Sequence, residues 1–313
     1  MPAAHVRMSD VAATEWLAQN ATMPLLRSLL TDAARALLAA GCDETLDEAR
    51  LEVEVLYAEA SGLTRAGVLA RGSEEPSTDA LPAFEATLAR RLGHEPLAYI
   101  LGRREFYGLT FEVRSGVLIP RPDTETLVEA TLAAIREHPA ARRLVRVADV
   151  GTGSGAVAIS VARHAPMAKV WATDVSTEAL AIAGANRRRL GVEARVVLLA
   201  GNLLEPLAEP LDVVAANLPY IPTAEVDGLA PEVRDWEPRG ALDGGADGLD
   251  AFRALARQLP AHLAAGPRAV LLEVGAGQAA EVAALFADVV GGSPRLHRDL
   301  AGIERVMELR AGY

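Results

Sequence analysis

The stretch Leu211-Asp212-Val213-Val214-Ala215-Ala216-Asn217-Leu218-Pro219-Tyr220 contains a predicted strand followed directly by a polar motif. Its first half is mostly apolar and contains two neighbouring valines, which is typical of a buried strand in a parallel sheet. An amide, a proline and an aromatic ring follow at the carboxyl end of that strand. Because ligands bind outside the carboxyl ends of strands in open α/β sheets, this position predicts a binding site.

The four residues after the strand have the chemistry of a clamp for a planar group that bears N–H bonds. The Asn217 amide offers an acceptor and donors. Pro219 stiffens the turn and leaves the carbonyl of Leu218 free to accept. Tyr220 provides a flat face for stacking. A turn that only ends a strand and buries a tyrosine has the same sequence, so the rest of the chain has to distinguish the two interpretations.

Strands and helices alternate on both sides of this stretch, which predicts a parallel, doubly wound α/β sheet. The predicted strands are residues 144–150, 169–173, 194–199, 211–216 and 269–273, with a closing antiparallel pair at 295–298 and 304–309. The predicted helices between them are residues 156–164, 176–190, 249–265 and 278–287. Ser176 is expected to cap the second of these helices.

The amino-terminal part of the chain has helical periodicity and no chemical motif. Three helices are predicted, at residues 25–40, 45–60 and 78–92. The first is expected to turn Leu26, Leu29, Leu30, Ala33 and Leu37 inward, and the second Leu51, Val55 and Ala58. The third is expected to turn Leu81, Phe84, Leu88 and Leu92 inward. We therefore predict four parts: a loose extension (1–22), a helical bundle that packs or recognises a partner (23–95), a β-hairpin linker (96–117) and the α/β domain (118–313).

Composition narrows the classes of function. The chain has 313 residues, is 50% apolar and carries a formal net charge of -11, which opposes non-specific binding to nucleic acid. A lone cysteine, Cys42, excludes an internal disulfide and fits a reducing cytoplasm. The sequence has no apolar run of membrane-spanning length, no signal-peptide pattern and no metal-ligand spacing among its histidines. We expect a cytoplasmic protein without a metal.

The stretch Asp149-Val150-Gly151-Thr152-Gly153-Ser154-Gly155 lies between a predicted strand and a predicted helix. Its glycines allow close backbone approach and would expose amide N–H groups at the helix start. Asp174 ends the next strand, where a carboxylate can accept from ribose hydroxyls. The pattern predicts an adenosine-containing cofactor, and a nicotinamide dinucleotide or a glycine turn used only for packing stays open at this point.

The motif after the fourth strand favours methyl transfer. Hydride transfer needs no amide clamp, whereas methylation of a planar nitrogen does. The sulfonium of S-adenosylmethionine is a strong electrophile without a metal. The Asn217 side-chain oxygen and the Leu218 carbonyl could accept the N–H bonds of the nitrogen and orient its lone pair. No general base is identified, because His164, His262 and His297 lie outside the motifs.

The segment from Leu118 to Glu125 contains two prolines that hold it extended. Asp123 or Thr124 is expected to cap the helix that follows, which turns Leu127, Val128, Leu132 and Ile135 inward. A stiff linker explains the segment as well as a functional role does. In the functional interpretation, Arg121 and Glu125 line the entrance to the cofactor site.

The chain resembles the HemK-type peptide chain release factor glutamine methyltransferases over nearly everything after residue 22. The segments that carry the resemblance are the amino-terminal bundle, Glu105–Gly108, Ile119–Glu125, Asp149–Gly155, Asp174, Asn217–Tyr220 and Asp299–Arg305. The related ribosomal-protein glutamine methyltransferases usually carry a different sequence after the arginine of the second segment. The resemblance is therefore to the release-factor branch.

The resemblance implies a seven-stranded, Rossmann-like class I methyltransferase domain that methylates the glutamine of the Gly-Gly-Gln loop in release factors. The implied catalytic residues are Asn217, Pro219 and Tyr220, with Leu218 added for substrate binding. The implied S-adenosylmethionine contacts are Gly151, Thr152, Gly153, Ser154, Gly155, Asp174, Asn202, Leu203, Asn217, Phe106 and Arg121. A monomer with release factors as partners, without stable nucleic acid or membrane, is expected.

Two departures from the family pattern keep alternatives open. Leu218 stands where the family usually has proline, and Asn202-Leu203 stands where an acid and an aromatic are common beside the adenine. Asn-Leu-Pro-Tyr also occurs in ribosomal RNA adenine dimethylases, so an adenine amino-group methyltransferase acting on RNA or DNA is the rival. The third hypothesis is that the chain is a non-catalytic adapter protein that kept the fold.

Overall fold

The computed structural model describes residues 25–139 and 144–312, which fall into two compact units. The first unit holds the chain up to Gly102 together with Pro231–Trp236, and the second holds Arg103–Ala230 and Glu237 onward. The predicted extension over residues 1–22 lies outside the described residues. The predicted hairpin linker divides between the two units, since residues 96–102 group with the first and the hairpin itself groups with the second.

The first unit is helical. Its helices are α1 (Leu26–Ala39), α2 (Leu46–Ser61), α3 (Arg65–Ala70), α4 (Leu81–Leu92) and α5 (Leu97–Leu101), with a helical turn at Pro231–Arg234. The five apolar residues predicted to face inward from α1 are all buried. Thr45 and Glu48 form a capping box that defines the start of α2. Helices α3 and α5 were not predicted, because they are too short to show periodicity.

The inward face predicted for α2 is wrong at Leu51, whereas Ala58 packs against the core as predicted. Leu51 is 44% exposed, while Val53, Leu56 and Tyr57 are fully buried. Both sets recur at helical spacing, and packing selects the set with the larger side chains. The Tyr57 ring packs edge-on against Phe84 of α4, with ring centroids 5.4 Å apart.

The second unit contains a two-stranded hairpin and a seven-stranded sheet. The hairpin strands are β1 (Arg103–Phe106) and β2 (Leu109–Glu112). The sheet strands are β3 (Val145–Val150), β4 (Ala168–Asp174), β5 (Val196–Ala200), β6 (Val213–Ala216), β7 (Arg268–Glu273), β8 (Arg295–Arg298) and β9 (Glu304–Ala311). Their order is β5-β4-β3-β6-β7-β9-β8, and β9 runs antiparallel to both of its neighbours. The doubly wound sheet and its closing antiparallel pair are confirmed.

Five longer helices accompany this sheet. They are α6 (Glu125–Glu137), α7 (Ala156–His164), α8 (Thr177–Arg189), α9 (Asp250–His262) and α10 (Ala279–Val290). Ser176 caps α8 as predicted, because its side chain accepts from the backbone N–H of Ala179. Residues 221–248 contain short helical turns at Thr223–Val226, Pro231–Arg234 and Arg239–Ala241 that were not predicted.

The strand order reverses between β3 and β6. From β3 the chain continues to β4 and β5 on one side and then returns to β6 on the other side. Val150 at the end of β3 pairs with Ala216 at the end of β6. The glycine-rich turn after β3 and the motif that starts at Asn217 therefore lie together at a topological switch point, where open α/β sheets bind ligands.

Two features are absent from the described residues: a helix that could cross a membrane and a group of side chains that could hold a metal ion. No helix of residues 25–139 or 144–312 is long and apolar enough to cross a membrane. Across the same residues, no group of three or more His, Cys, Asp or Glu side chains is placed to hold a metal ion.

Candidate active site

A buried carboxylate lies beneath the glycine-rich turn. Asp149, the penultimate residue of β3, accepts hydrogen bonds from the Thr152 hydroxyl at 2.6 Å and from the backbone N–H of Ala158 at 3.0 Å. Burial raises the pKa of Asp149 to about 6, against these hydrogen bonds, which lower it. The positive end of α7 therefore already faces an acidic side chain of the protein itself.

The backbone amides of the glycine-rich turn are used inside the protein. Those of Gly151 and Thr152 both donate to the Thr173 carbonyl at 2.9 Å. The Gly153 amide donates to Asp174 Oδ2 at 2.8 Å, and that of Gly155 donates to the Thr152 carbonyl at 2.8 Å. The expectation that the turn exposes its amides is wrong for these four. A pyrophosphate placed at this turn would find these four amides already used.

A cavity of about 310 Å³ opens beside this turn. It brings together the predicted site residues Gly151, Gly153, Asp174, Asn202, Leu203, Asn217, Leu218 and Pro219. Sequence reasoning missed other lining residues, among them Gly116, Leu118, Val175, Pro238 and Ala251. Ala251 lies in α9 and the other four lie in loops, and only the tertiary fold brings them to the same cavity.

The cavity fits an adenosine-containing group that lacks phosphates. Asp174 accepts from Gly153 through one carboxylate oxygen and from the Ser176 amide, at 2.9 Å, through the other. Each oxygen keeps a further lone pair, which is the acceptor capacity that two ribose hydroxyls need. At Gly153 a Cβ atom would have no neighbour within 4 Å, so the turn leaves open space there.

The residues predicted beside the adenine line the same cavity. Asn202 is exposed, and its side-chain N–H donates to Glu205 at 3.0 Å. Leu203 has a left-handed backbone with φ of 53°, which is unusual for a residue other than glycine. The adenine contacts of both residues remain a prediction.

A second cavity, of about 60 Å³, shares Leu118, Gly151, Gly153 and Asn217 with the first. Its other lining residues include Arg121, Thr124, Asp149, Thr152 and Ser154. The Arg121 guanidinium forms an ion pair with the buried Glu237, which also accepts the Ile119 amide at 3.0 Å. The predicted Arg121 is thus placed at the cavity wall by a partner that sequence reasoning missed.

Four predicted residues do not line either cavity within the part of the chain that the structure describes: Phe106, Gly155, Tyr220 and Glu125. Phe106 is 1% exposed and packs edge-on against Phe111, so the two cavities give no support to its predicted cofactor contact. Glu125 accepts the Tyr107 amide at 2.7 Å, which fastens α6 to the hairpin, and it does not line either cavity among the described residues.

The Asn217 side-chain amide is held by Thr124, which ends the short turn before α6. Its side-chain nitrogen donates to the Thr124 hydroxyl at 3.2 Å. The predicted cap of α6 by Asp123 or Thr124 is wrong, since Thr124 makes no side-chain cap hydrogen bond. A short 3₁₀ turn over Pro122–Thr124 gives Thr124 a helical backbone already, whereas a capping residue needs an extended one.

Glu273 is a buried acid that sequence reasoning missed. It ends β7 and is 2% exposed, and because Leu272 pairs with Ala216, Glu273 and Asn217 follow neighbouring strands at the same level. Burial raises its pKa to about 7, and the Thr124 hydrogen bond, the Arg305 charge and the Asn217 hydrogen bond oppose that rise. An acid at the end of the apolar run Ala269–Leu272 was the available signal, because it repeats the pattern of Asp174.

The turn after Asn217 is held by hydrogen bonds and close contacts to residues 242–248 and to Gln278. The Tyr220 carbonyl accepts from the Gln278 side chain at 3.0 Å, and Ile221 exchanges backbone hydrogen bonds with Leu242 and Gly244. A Cβ atom at Gly248 would stand 2.3 Å from the Tyr220 carbonyl oxygen, so only glycine fits there. These contacts stiffen the turn where Leu218 replaces the first proline of the usual motif.

Comparisons with known proteins agree with this geometry. The model described as "PrmC N-terminal domain" matches residues 28–102, and the model described as "Methyltransferase small domain" matches residues 126–230. A solved methyltransferase from Pyrococcus furiosus covers 72% of this chain and 98% of its own, with 18% identity and a TM-score of 0.50. That likeness supports the methyltransferase fold.

Curated relatives cover most of the chain. The release factor glutamine methyltransferase of Geobacter sulfurreducens is 42% identical over 86% of this chain and 92% of its own length. That of Bradyrhizobium diazoefficiens is 40% identical over 92% of this chain and 96% of its own. Identity at this level over nearly the whole length, together with the methyltransferase fold and the cavity at its switch point, shows that the chain belongs to the release factor glutamine methyltransferase family.

Proposed function

We propose that the protein transfers a methyl group from S-adenosylmethionine to the side-chain amide nitrogen of the glutamine in the Gly-Gly-Gln loop of peptide chain release factors. One observation carries the proposal. The Asn217 amide stands in the wall common to both cavities, next to the turn that follows β3. A clamp for an N–H-bearing group thus lies within reach of the methyl donor.

The methyl donor, when bound, supplies an electrophilic methyl group on sulfur. Asp174 holds its ribose, and the loops around Asn202 contact its adenine. Asn217 Oδ1 and the Leu218 carbonyl accept the two N–H bonds of the glutamine amide. With both N–H bonds held, the nitrogen lone pair would point at the methyl group, and the acceptors would stabilise the positive charge that develops on nitrogen. As the nitrogen–methyl bond forms, the sulfur–methyl bond would break and leave a neutral thioether, and the methylated nitrogen would then release one proton to solvent.

A protein acceptor fits the molecule better than a nucleic acid. The names of the relatives specify release factors. The formal net charge of -11 opposes the phosphate contacts from which nucleic-acid binding gains most of its affinity. We propose that the helical domain ahead of the hairpin recognises the release factor, and that the protein acts as a cytoplasmic monomer.

Transfer of radiolabelled methyl from S-adenosylmethionine tests this function. The acceptors are a purified release factor, its variant with the loop glutamine changed to alanine, and total RNA. We expect label on the intact release factor alone. Label on RNA would replace the proposed acceptor by an adenine amino group, and equal label on the alanine variant would move the methylated residue elsewhere.

Substitution of Asn217 tests the clamp itself. We expect Asn217→Ala to lower kcat by at least about 100-fold, because removing one preorganised acceptor typically costs that much. Affinity for S-adenosylmethionine, measured by calorimetry, should change little. Normal turnover in the variant would show that the amide does not hold the acceptor.

A further inference from the structure

The turn between β8 and β9 has no part in the proposed methyl transfer, yet it exposes two large apolar side chains. Residues 299–303, termed the hairpin tip, join the two strands. They belong to the segment Asp299–Arg305 that carries part of the family resemblance. Leu300 is fully exposed, and Ile303 is 40% exposed. An apolar group that a sequence leaves in water at a defined place is a candidate contact for a partner protein.

Hydrogen bonds within the hairpin tip fix its shape. The Asp299 carboxylate accepts from the backbone N–H groups of Ala301 and Ile303, at 2.9 and 3.0 Å. The backbone N–H of Asp299 donates to the Ile303 carbonyl at 2.9 Å, and that of Gly302 donates to the Asp299 carbonyl at 2.9 Å. Gly302 has a φ of 80°, in the left-handed region that suits glycine. The tip therefore presents the Leu300 side chain from a backbone of defined shape.

The hairpin tip extends from the edge of the sheet that holds the acceptor site. Leu272 of β7 pairs with Ala216, the residue directly before Asn217. The next residue of β7, Glu273, pairs with Val306 near the start of β9. Because neighbouring strands lie about 4.8 Å apart, the start of β9 lies two strands, or roughly 10 Å, from Asn217. The tip precedes β9, so it leaves the sheet at this same edge.

Ion pairs connect the hairpin tip with the residue that holds the Asn217 side chain. Arg305 pairs with Asp299 of the tip and with Asp123, in both cases at 3.0 Å. Asp123 is followed by Thr124, whose hydroxyl accepts from the Asn217 side chain at 3.2 Å. These contacts fix the place of the tip relative to the site where the acceptor nitrogen would bind.

We propose that the hairpin tip is a docking contact for the methyl-acceptor protein, in which Leu300 packs against an apolar surface of the release factor beside its Gly-Gly-Gln loop. The identity of the partner rests on the proposed function. A standard interface covers about 800 Å² of each partner, a patch that extends roughly 16 Å from its centre. A release factor that places its glutamine at Asn217 would therefore also cover the tip.

The chemistry of the hairpin tip fits an apolar contact better than a charged one. The charged residues that flank it, Arg298 and Glu304, pair with each other at 2.6 Å. The Asp299 carboxylate accepts from the Arg305 guanidinium. With these charges neutralised inside the protein, Leu300 is the group that a partner meets. Its burial would add affinity, and the fixed backbone would lower the entropic cost of binding.

Steady-state kinetics with a purified release factor test the docking contact. We expect Leu300→Ser to raise KM for the release factor roughly tenfold, because the variant loses the burial of a leucine side chain. The kcat at saturating release factor and the Kd for S-adenosylmethionine should stay unchanged, since Leu300 touches neither reacting group. Leu300→Met keeps an apolar side chain of similar volume, so its KM should stay close to that of the unsubstituted enzyme.

Leu144→Ser is the matched control. Leu144 is 54% exposed and directly precedes β3, so it lies at the opposite edge of the same sheet. This variant should keep the KM and kcat of the unsubstituted enzyme. Photo-crosslinking supplies a readout that does not depend on turnover. With p-benzoylphenylalanine at position 300, irradiation should crosslink the protein to the release factor, and with the same group at position 144 it should not.

The possible outcomes separate the docking contact from the proposed function. An unchanged KM in Leu300→Ser, or an equal rise in both serine variants, would overturn the contact and leave the function intact. A crosslink to the release factor from position 144 alone would overturn it as well. If the unsubstituted protein methylates no release factor, the proposed function fails and the contact fails with it.

Discussion

At the scale of single residues, the site depends on where carboxylates end strands. Asp174 ends β4 and Glu273 ends β7, yet their surroundings differ. Asp174 lines the larger cavity and accepts two backbone N–H groups, which leaves acceptor capacity toward the cavity. Glu273 is enclosed, and its Oε2 has no hydrogen-bond partner among the described residues. The two strand-ending carboxylates thus differ in exposure, and Asp174 is the one that faces the cavity.

Asp174→Ala should weaken binding of S-adenosylmethionine. The substitution removes the acceptor for the ribose hydroxyls and also the partner of the Gly153 amide, so we expect a loss of about 2 kcal/mol, or roughly 30-fold in Kd. Isothermal titration calorimetry measures it directly. An unchanged Kd would remove Asp174 from the ribose site.

Glu273→Gln should change how stability depends on pH. Since the folded-state pKa of Glu273 is raised from 4.5 to about 7, its contribution to stability is fully present below pH 4.5 and is lost as pH rises through 7. Glutamine removes this loss. Relative to the unsubstituted protein, the variant should gain roughly 3 kcal/mol in free energy of unfolding between pH 4.5 and pH 8. Denaturant unfolding at both pH values measures the difference, and a constant difference would contradict the raised pKa.

At the scale of elements, the turn after β6 depends on a glycine-rich loop that meets it from a distant part of the chain. Gly244 and Gly248 approach the carbonyls of Pro219 and Tyr220 so closely that a Cβ at either position would stand 2.7 or 2.3 Å from the oxygen. Gly248 also has a left-handed backbone, with φ of 78°. The loop is therefore part of the site, although its residues carry no chemistry.

Gly248→Ala should lower turnover more than it lowers cofactor affinity. The added methyl group pushes the Tyr220 carbonyl away and shifts the turn that presents Asn217, and a displacement of about 1 Å at a reacting group can cost 100-fold in rate. We expect kcat to fall by one to two orders of magnitude with little change in Kd for S-adenosylmethionine. Gly277→Ala is the control, because Gly277 also has a left-handed backbone but a Cβ there would meet nothing within 4 Å. Equal loss in both variants would point to backbone strain alone.

At the scale of the whole molecule, the charge balance separates protein from nucleic-acid substrates. With a formal net charge of -11, the protein should show no salt-sensitive affinity for RNA between 50 and 200 mM salt. Fluorescence anisotropy with a labelled RNA measures this. An affinity that falls steeply with salt would revive the adenine methyltransferase interpretation.

Most of the α/β architecture could be predicted because alternating apolar strands and capped helices are local patterns. Every strand of the sheet was predicted within a few residues of its observed bounds. The cap by Ser176 and the inward face of α6 were also predicted correctly. The buried face of α2 was not fully predicted, since two sets of residues both fit a helical period and only tertiary packing, which includes the Tyr57 ring against Phe84, selects one. The short helical turns over residues 221–248 have too few residues to show a period.

By itself, the sequence determined the α/β fold and the site at the switch point, with Asn217, Asp174 and the glycine-rich turn as its residues. Each of these features shows as a pattern within a contiguous stretch of the chain. Only the tertiary structure decided how these groups are used. It showed that four amides of the turn are satisfied internally, and it brought Thr124, Glu237, Gly248 and Glu273 to the site from separate elements. Hydrogen bonds and close approaches of this kind join residues far apart in the chain, so no local pattern contains them.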